Sequence, residues 1–108
     1  MALDESEFEK LASAVIDRFA EAIDDALGDQ IDVDMHGGIL TLTLPGKAQY
    51  IINKHGPNRE IWLSSPVSGA AHFAFDGKVW VSTRNPDQIL DRLLSKELAD
   101  KFGVEVTL

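Results

Sequence analysis

The sequence predicts a two-layer α+β sandwich: an antiparallel sheet of five to seven strands, with an N-terminal and a C-terminal helix packed on one face. Three patterns carry this expectation. Apolar residues recur at three- and four-residue steps near the start, at two-residue steps through the middle, and at helical steps again near the end. A meandering sheet with a helix at each end of the sequence places both helices on the same face and leaves the other face to solvent. The 108 residues suit a single domain, 1–108, that buries roughly two thirds of the surface its unfolded chain exposes.

The first element is a helix from about Asp4 to Leu27, because Phe8, Leu11, Ala12, Val15, Phe19, Ala22, Ile23 and Ala26 fall on one side of a 3.6-residue period. Gly28 is read as its stop. The period then changes to two. Ile31, Val33 and Met35 alternate with Asp32, Asp34 and His36, which describes a half-buried strand with an acidic outward side. Gly37-Gly38 signals a hairpin into a second strand, Ile39 to Leu44. Pro45-Gly46 leads to a third, Ala48 to Lys54, and His55-Gly56-Pro57-Asn58 turns the chain into a fourth, Arg59 to Ser64. Two short strands, Ala71 to Phe75 and Lys78 to Ser82, flank Asp76-Gly77. A closing helix follows, capped by Thr83 or Asn85, with Pro86 in its first turn and Ile89, Leu90, Leu93, Leu94 and Leu98 as its buried stripe. Gly103 ends it, and Val104 to Thr107 adds a final short strand or an extended tail.

Charge is distributed unevenly over these elements. Eleven of the eighteen acidic residues lie in the first 34 positions, against only Lys10 and Arg18, so that segment carries a formal −9 while the whole chain carries −8. Asp17, Glu21, Asp24 and Asp25 are neighbours on one solvent face of the first helix. Like charges so spaced destabilise a helix by about 0.2–0.5 kcal/mol per pair. Such a face attracts cations or a basic partner. Carboxylate oxygens suit Fe²⁺, Fe³⁺, Mn²⁺, Ca²⁺ and Mg²⁺ with little selectivity. No Glu-x-x-His pair lies on the helix, which argues for exchangeable surface cations over a ferritin-like di-iron centre.

Other classes are disfavoured. The absence of cysteine removes disulfides, thiolate metal sites and thiol catalysis. A pI near 4.6 argues against direct nucleic-acid binding. No apolar run approaches the roughly 18 residues of a membrane span, and the start has neither a basic nor an apolar targeting region, so an intact soluble protein or a mature form is expected. Ser64-Ser65-Pro66 has no base in reach of the pattern, and Gly37-Gly38 precedes no helix that would make it a phosphate loop.

The run Tyr50-Ile51-Ile52-Asn53-Lys54-His55-Gly56-Pro57-Asn58-Arg59-Glu60-Ile61-Trp62-Leu63-Ser64-Ser65-Pro66, followed by Gly69, Phe73, Asp76-Gly77-Lys78 and Trp80, resembles the signature of the frataxin (CyaY) family. The order of the acidic helix, the Asp-Val-Asp strand and the leucine-rich helix agrees as well, so the resemblance spans almost the whole chain. It implies a small protein of iron–sulfur cluster assembly. Such a protein binds ferrous and ferric iron weakly at an acidic ridge and docks on a cysteine desulfurase and its scaffold protein as iron donor or regulator. By this resemblance the ridge comprises Asp17, Glu21, Asp24, Asp25, Asp29, Asp32 and Asp34, with Glu5 and Glu7 near its beginning. His36, beside Asp34 at the first hairpin, is read as incidental more readily than as a nitrogen ligand.

The docking face corresponds to Asn53, His55, Arg59, Trp62 and His72, with Trp62 turned to water opposite Ile61 and Leu63. Trp80 is expected in the core. Histidine at 55 stands where many members have glutamine, and at 72 where eukaryotic members often have Arg or Lys, which removes a fixed positive charge. The implied state is a monomer with iron-dependent oligomers, in a bacterial cytoplasm or, as a mature form, in the mitochondrial matrix. A ferroxidase that stores its product and an acidic interaction module indifferent to metal are the alternative readings.

Overall fold

A computed structural model describes residues 3–108. Helix α1, Glu5–Leu27, begins at Asp4, whose extended backbone lets Oδ1 accept the Glu7 N–H at 2.8 Å. This satisfies one of the donors that a helix start leaves unpaired. Phe8, Ala12, Val15, Ile16, Phe19, Ile23 and Leu27 form its buried stripe. Gly28 is not a left-handed stop: its φ of −57° keeps it in the right-handed region, and its N–H still bonds Asp24. The chain leaves the helix one step later, where the N–H groups of Gln30 and Ile31 both reach the Leu27 carbonyl.

Six strands follow: β1 Asp32–His36, β2 Ile39–Thr43, β3 Gln49–His55, β4 Glu60–Ser65, β5 Gly69–Phe75 and β6 Trp80–Ser82. They lie side by side in chain order, each antiparallel to the next. Gly37 and Gly38 join the first pair with φ of 59° and 80°, the two positive values that a type I′ hairpin turn demands. The pleat sends Leu40, Leu42, Tyr50, Ile52, Ile61, Leu63, Phe73 and Trp80 toward the helices, where all are buried with the α1 stripe and with Leu90, Leu94 and Leu98. Trp80 packs edge-on to Phe8 with ring centroids 6.1 Å apart. Both helices therefore cover one face, as expected, and the opposite face carries Thr41, Ile51, Asn53, Trp62 and His72 in half-exposed positions.

The second helix starts later than its sequence signals indicate. Ser82 Oγ accepts the N–H groups of Arg84 and Asn85, each at 3.2 Å, and Asn85 Oδ1 accepts that of Asp87. Ser82 N–H bonds the Gln88 carbonyl, Val81 bridges Ile89, and α2 runs Leu90–Phe102 with no side-chain cap. Serine and asparagine close turns by the same bonds with which they cap helices, and Asn85 is biased away from helical backbone by the proline after it. Gly103, at φ 67°, ends α2 in the left-handed conformation. Residues 104–108 form an extended tail and not a seventh strand, with Val106 buried. No helix among the described residues is long and apolar enough to cross a membrane.

The β5–β6 turn has a measurable electrostatic signature. Asp76 Oδ1 accepts the N–H groups of Val79 and Lys78, both at 2.9 Å, and these bonds hold its carboxyl below the usual carboxylate range. A lowered folded-state value means stability that is fully present above the unfolded-state value and is lost as pH falls through the folded one. Asp76→Ala should therefore lower the thermal midpoint at pH 7, and the deficit should shrink at a pH well below the ordinary aspartate value of about 3.9. Paired melts at the two pH values check this; an equal deficit at both would contradict it.

Candidate functional site

The nine carboxylates expected to form the ridge are all exposed. On α1, Asp17, Glu21, Asp24 and Asp25 project opposite the buried stripe, as a 100° step per residue requires. Asp29 lies in the turn out of the helix, and Asp32 and Asp34 stand on the outer face of the edge strand β1, in register with Thr43 and Thr41. Glu5 sits about 120° round the helix from Asp17 and so lies off the acidic face. Glu7 is engaged locally: its carboxyl is raised above the ordinary range, first by its side-chain hydrogen bond with Asp4 and then by Asp4's charge.

The ion pairs among the described residues are Lys54–Glu9 and Lys96–Asp100, with His72–Glu60 a third when His72 is protonated, so none of the nine carboxylates is in one. Nor do three or more His, Asp or Glu side chains converge on a common point among the described residues. These exposed carboxylates on α1, the following turn and β1 form no preformed inner coordination shell among the described residues. Such a surface can hold hard cations through one or two carboxylates and water, weakly and exchangeably. His36, exposed at the end of β1, adds no third donor to that surface. Lys54 limits the acidic face on one side, because its Nζ reaches across from β3 to Glu9 Oε2 at 2.8 Å and Ser13 Oγ at 3.0 Å.

On the open sheet face the register brings Asn53, Trp62 and His72 into one row across β3, β4 and β5, with His55 and Glu60 paired in the next row. Trp62 is on the outer face as alternation predicts, but it is half-buried rather than free in water. Its indole lies between two imidazoles: His55 at 3.8 Å between centroids with planes 10° apart, and His72 at 4.2 Å and 7°. Trp62 Nε1 donates to Glu60 Oε1 at 2.9 Å, and His72 Nδ1 stands 3.7 Å from the same oxygen. Asn53 Nδ2 donates to the Lys54 carbonyl at 3.3 Å. Arg59, at φ 55°, closes the β3–β4 turn: its backbone N–H and its guanidinium both reach the Gly56 carbonyl. Two buried atoms here, His55 Nδ1 and Arg59 Nε, have no hydrogen-bond partner. The face thus presents a rigid aromatic stack edged by polar groups, the composition typical of a protein-binding anchor.

Sequence reasoning assigned Glu60 and Lys54 no role. Glu60 had a visible signal, since it is two residues from Trp62 and shares its face. Beneath the site lies another missed residue. Glu97 of α2 is only 8% exposed and accepts from Tyr50 Oη at 2.9 Å, Ser65 Oγ at 2.6 Å and Ser68 Oγ at 2.6 Å. Burial, and then the bond to Glu97, push the Tyr50 hydroxyl well above its usual range. This network ties the end of β4 and the following loop to α2, and so steadies the strand that carries Trp62.

Residues 1–104 match the family model described as the frataxin-like domain. The chain is 39% identical to the mitochondrial frataxin of Arabidopsis thaliana over 113 aligned positions, covering 98% of this chain and 59% of that protein. It is 36% identical to the mitochondrial frataxin homolog of Schizosaccharomyces pombe, covering 94% of this chain and 68% of that protein. Among solved structures, frataxin from Psychromonas ingrahamii superposes with a TM-score of 0.83 at 25% identity, covering 97% of each chain. The trimeric frataxin of the yeast Saccharomyces cerevisiae, solved in complex with ferrous iron, superposes with a TM-score of 0.72 at 34% identity, covering 95% of this chain and 89% of that one.

Proposed function

The chain belongs to the frataxin-like family, and on that premise we propose that it serves iron–sulfur cluster assembly as a non-catalytic iron-binding factor. In this role iron is bound weakly along Asp17, Glu21, Asp24, Asp25, Asp29, Asp32 and Asp34, with Glu5 and Glu7 at the margin. A cysteine desulfurase and its scaffold protein dock on the ridge and on the sheet face around Asn53, His55, Arg59, Trp62 and His72. The observation that carries the reading is the band of exposed carboxylates outside every ion pair among the described residues. Charge draws iron and a basic desulfurase surface to the ridge, and the clamped indole anchors the second contact. The yeast relative's complex with ferrous iron supports the choice of metal. Arg59, tied to its own turn, contributes charge at the rim of the docking face. The proposed state is a monomer that assembles with iron. The proposed compartment is the bacterial cytoplasm, or the mitochondrial matrix, the alternative that the mitochondrial relatives of plant and fission yeast support.

The direct test is cluster assembly reconstituted with desulfurase and scaffold, with and without ferrous iron. The rate should change on adding the protein, and Asp24→Lys with Asp25→Lys should lower the apparent affinity by about tenfold or more, an effect weakened by salt. A rate indifferent to the protein at every iron concentration would overturn the reading. The ferroxidase alternative predicts oxygen consumption above a protein-free control under ferrous iron. An interaction module indifferent to metal predicts identical behaviour with and without iron.

A further inference from the structure

The stacked rings on the sheet face share one carboxylate with a titratable neighbour, and that arrangement has a function of its own. We propose that His55, Trp62, His72 and Glu60 form a proton-operated switch that sets the charge of the docking face and the hydrogen bonding of Trp62. Glu60 is the pivot. Its side chain is 16% exposed, and its Oε1 is held by the indole N–H at 2.9 Å while His72 Nδ1 waits at 3.7 Å. That second distance is too long for a hydrogen bond and short enough for an ion pair. With His72 neutral, Glu60 belongs to Trp62 alone. A protonated His72 is a donor at both ring nitrogens, stands beside a carboxylate, and lies face-on to the indole, where a cation is attracted to the ring. Oε1 then has two competing donors, and the indole N–H bond lengthens as the imidazolium closes in.

The other charged and titratable groups around His72 fix how the switch behaves. His55 covers the opposite face of the same indole and is in register with Glu60. Arg84, from the turn after β6, lines a cleft of about 180 Å³ with His72, Asn85 and Gln88, and Arg59 adjoins Glu60 in sequence. Each of these groups is positive or can become so. From both imidazoles neutral to both charged, the set of Glu60, His55 and His72 passes from −1 to +1. Imidazole is the side chain whose charge changes within about pH 5 to 8, and the face consequently favours a carboxylate-bearing partner segment as pH falls. That consequence rests on the docking role proposed above; the switch itself does not.

The test follows the indole N–H resonances of the free protein by NMR from pH 8 to pH 5, together with the imidazole resonances of His55 and His72. Trp80, buried against Phe8 and Phe75, is the internal control. The Trp62 N–H should move with the His72 titration while Trp80 stays still, and the movement should fall by about threefold or more in His72→Gln and in Glu60→Gln. A Trp62 resonance that is flat over this range, or that titrates unchanged in both variants, would overturn the switch. Docking is judged separately by partner titration of Trp62→Ala, so the two readings can fail independently.

Discussion

Replacing Glu97 by alanine is expected to lower folding stability by about 3 kcal/mol or more, the largest effect of any single polar substitution considered, because hydrogen bonds to a charged acceptor contribute about 1.5–3 kcal/mol each and stranded buried hydroxyls add their own cost. Three hydroxyls converge on this carboxylate, and two of them, on Tyr50 and Ser65, are buried with it. Truncation leaves these donors facing a cavity that only water could fill. Glu97→Gln keeps one amide oxygen as acceptor but turns an NH₂ group toward a hydroxyl, so it should lose roughly half as much. Denaturant unfolding of the three proteins measures the series. A loss within about 1 kcal/mol for the alanine variant would show that the network is not the tie between β4 and α2 that its geometry describes.

Trp62→Ala should weaken binding of the desulfurase–scaffold complex by about thirtyfold, equivalent to about 2 kcal/mol, the level of a well-anchored interface tryptophan. The fold should survive. The indole lies on the outer face, outside the core cluster, and its removal forfeits two imidazole stacks worth about 1 kcal/mol each. Calorimetric titration, with circular dichroism as a check on folding, separates the two effects. Wild-type affinity in a folded variant would remove the sheet face from the docking account and leave the ridge as the sole contact.

How much of this was legible in the sequence depends on whether the cause is local. The helix α1 stripe and the alternation through β2, β3 and β4 are read correctly because burial of one face imposes periods of 3.6 and two on the residues themselves. The outward facing of Trp62 follows from the same rule, whereas Trp80 stands between Val79 and Val81, where alternation is silent. The start of α2 does not, since Ser82 and Asn85 offer bonds that serve a turn as well as a cap, and the choice is made by the bridge from Val81 to Ile89. Glu97 stands within the apolar stripe of α2, three residues from Leu94, and that misplaced carboxylate was a usable signal. Its partners were not predictable, because Tyr50 and Ser65 lie 47 and 32 residues away. The ring stack is similarly hidden: three residues on three strands become adjacent only through the register that two separate turns establish. The charge asymmetry of the first 34 residues is readable directly in the sequence, while the lack of any point where three or more such side chains converge among the described residues required coordinates.

The claim on which the functional account depends is that the acidic band binds iron. The measurement that addresses it most directly is an anaerobic titration of the protein with Fe²⁺ followed by amide NMR spectra. Amides of Asp17 to Asp25 on α1 and of Asp29 to Asp34 should broaden together at low metal ratios, with recovery on chelation, while those around Trp62 remain sharp. Spectra unchanged by excess Fe²⁺, or broadening centred elsewhere than the ridge, would contradict the account.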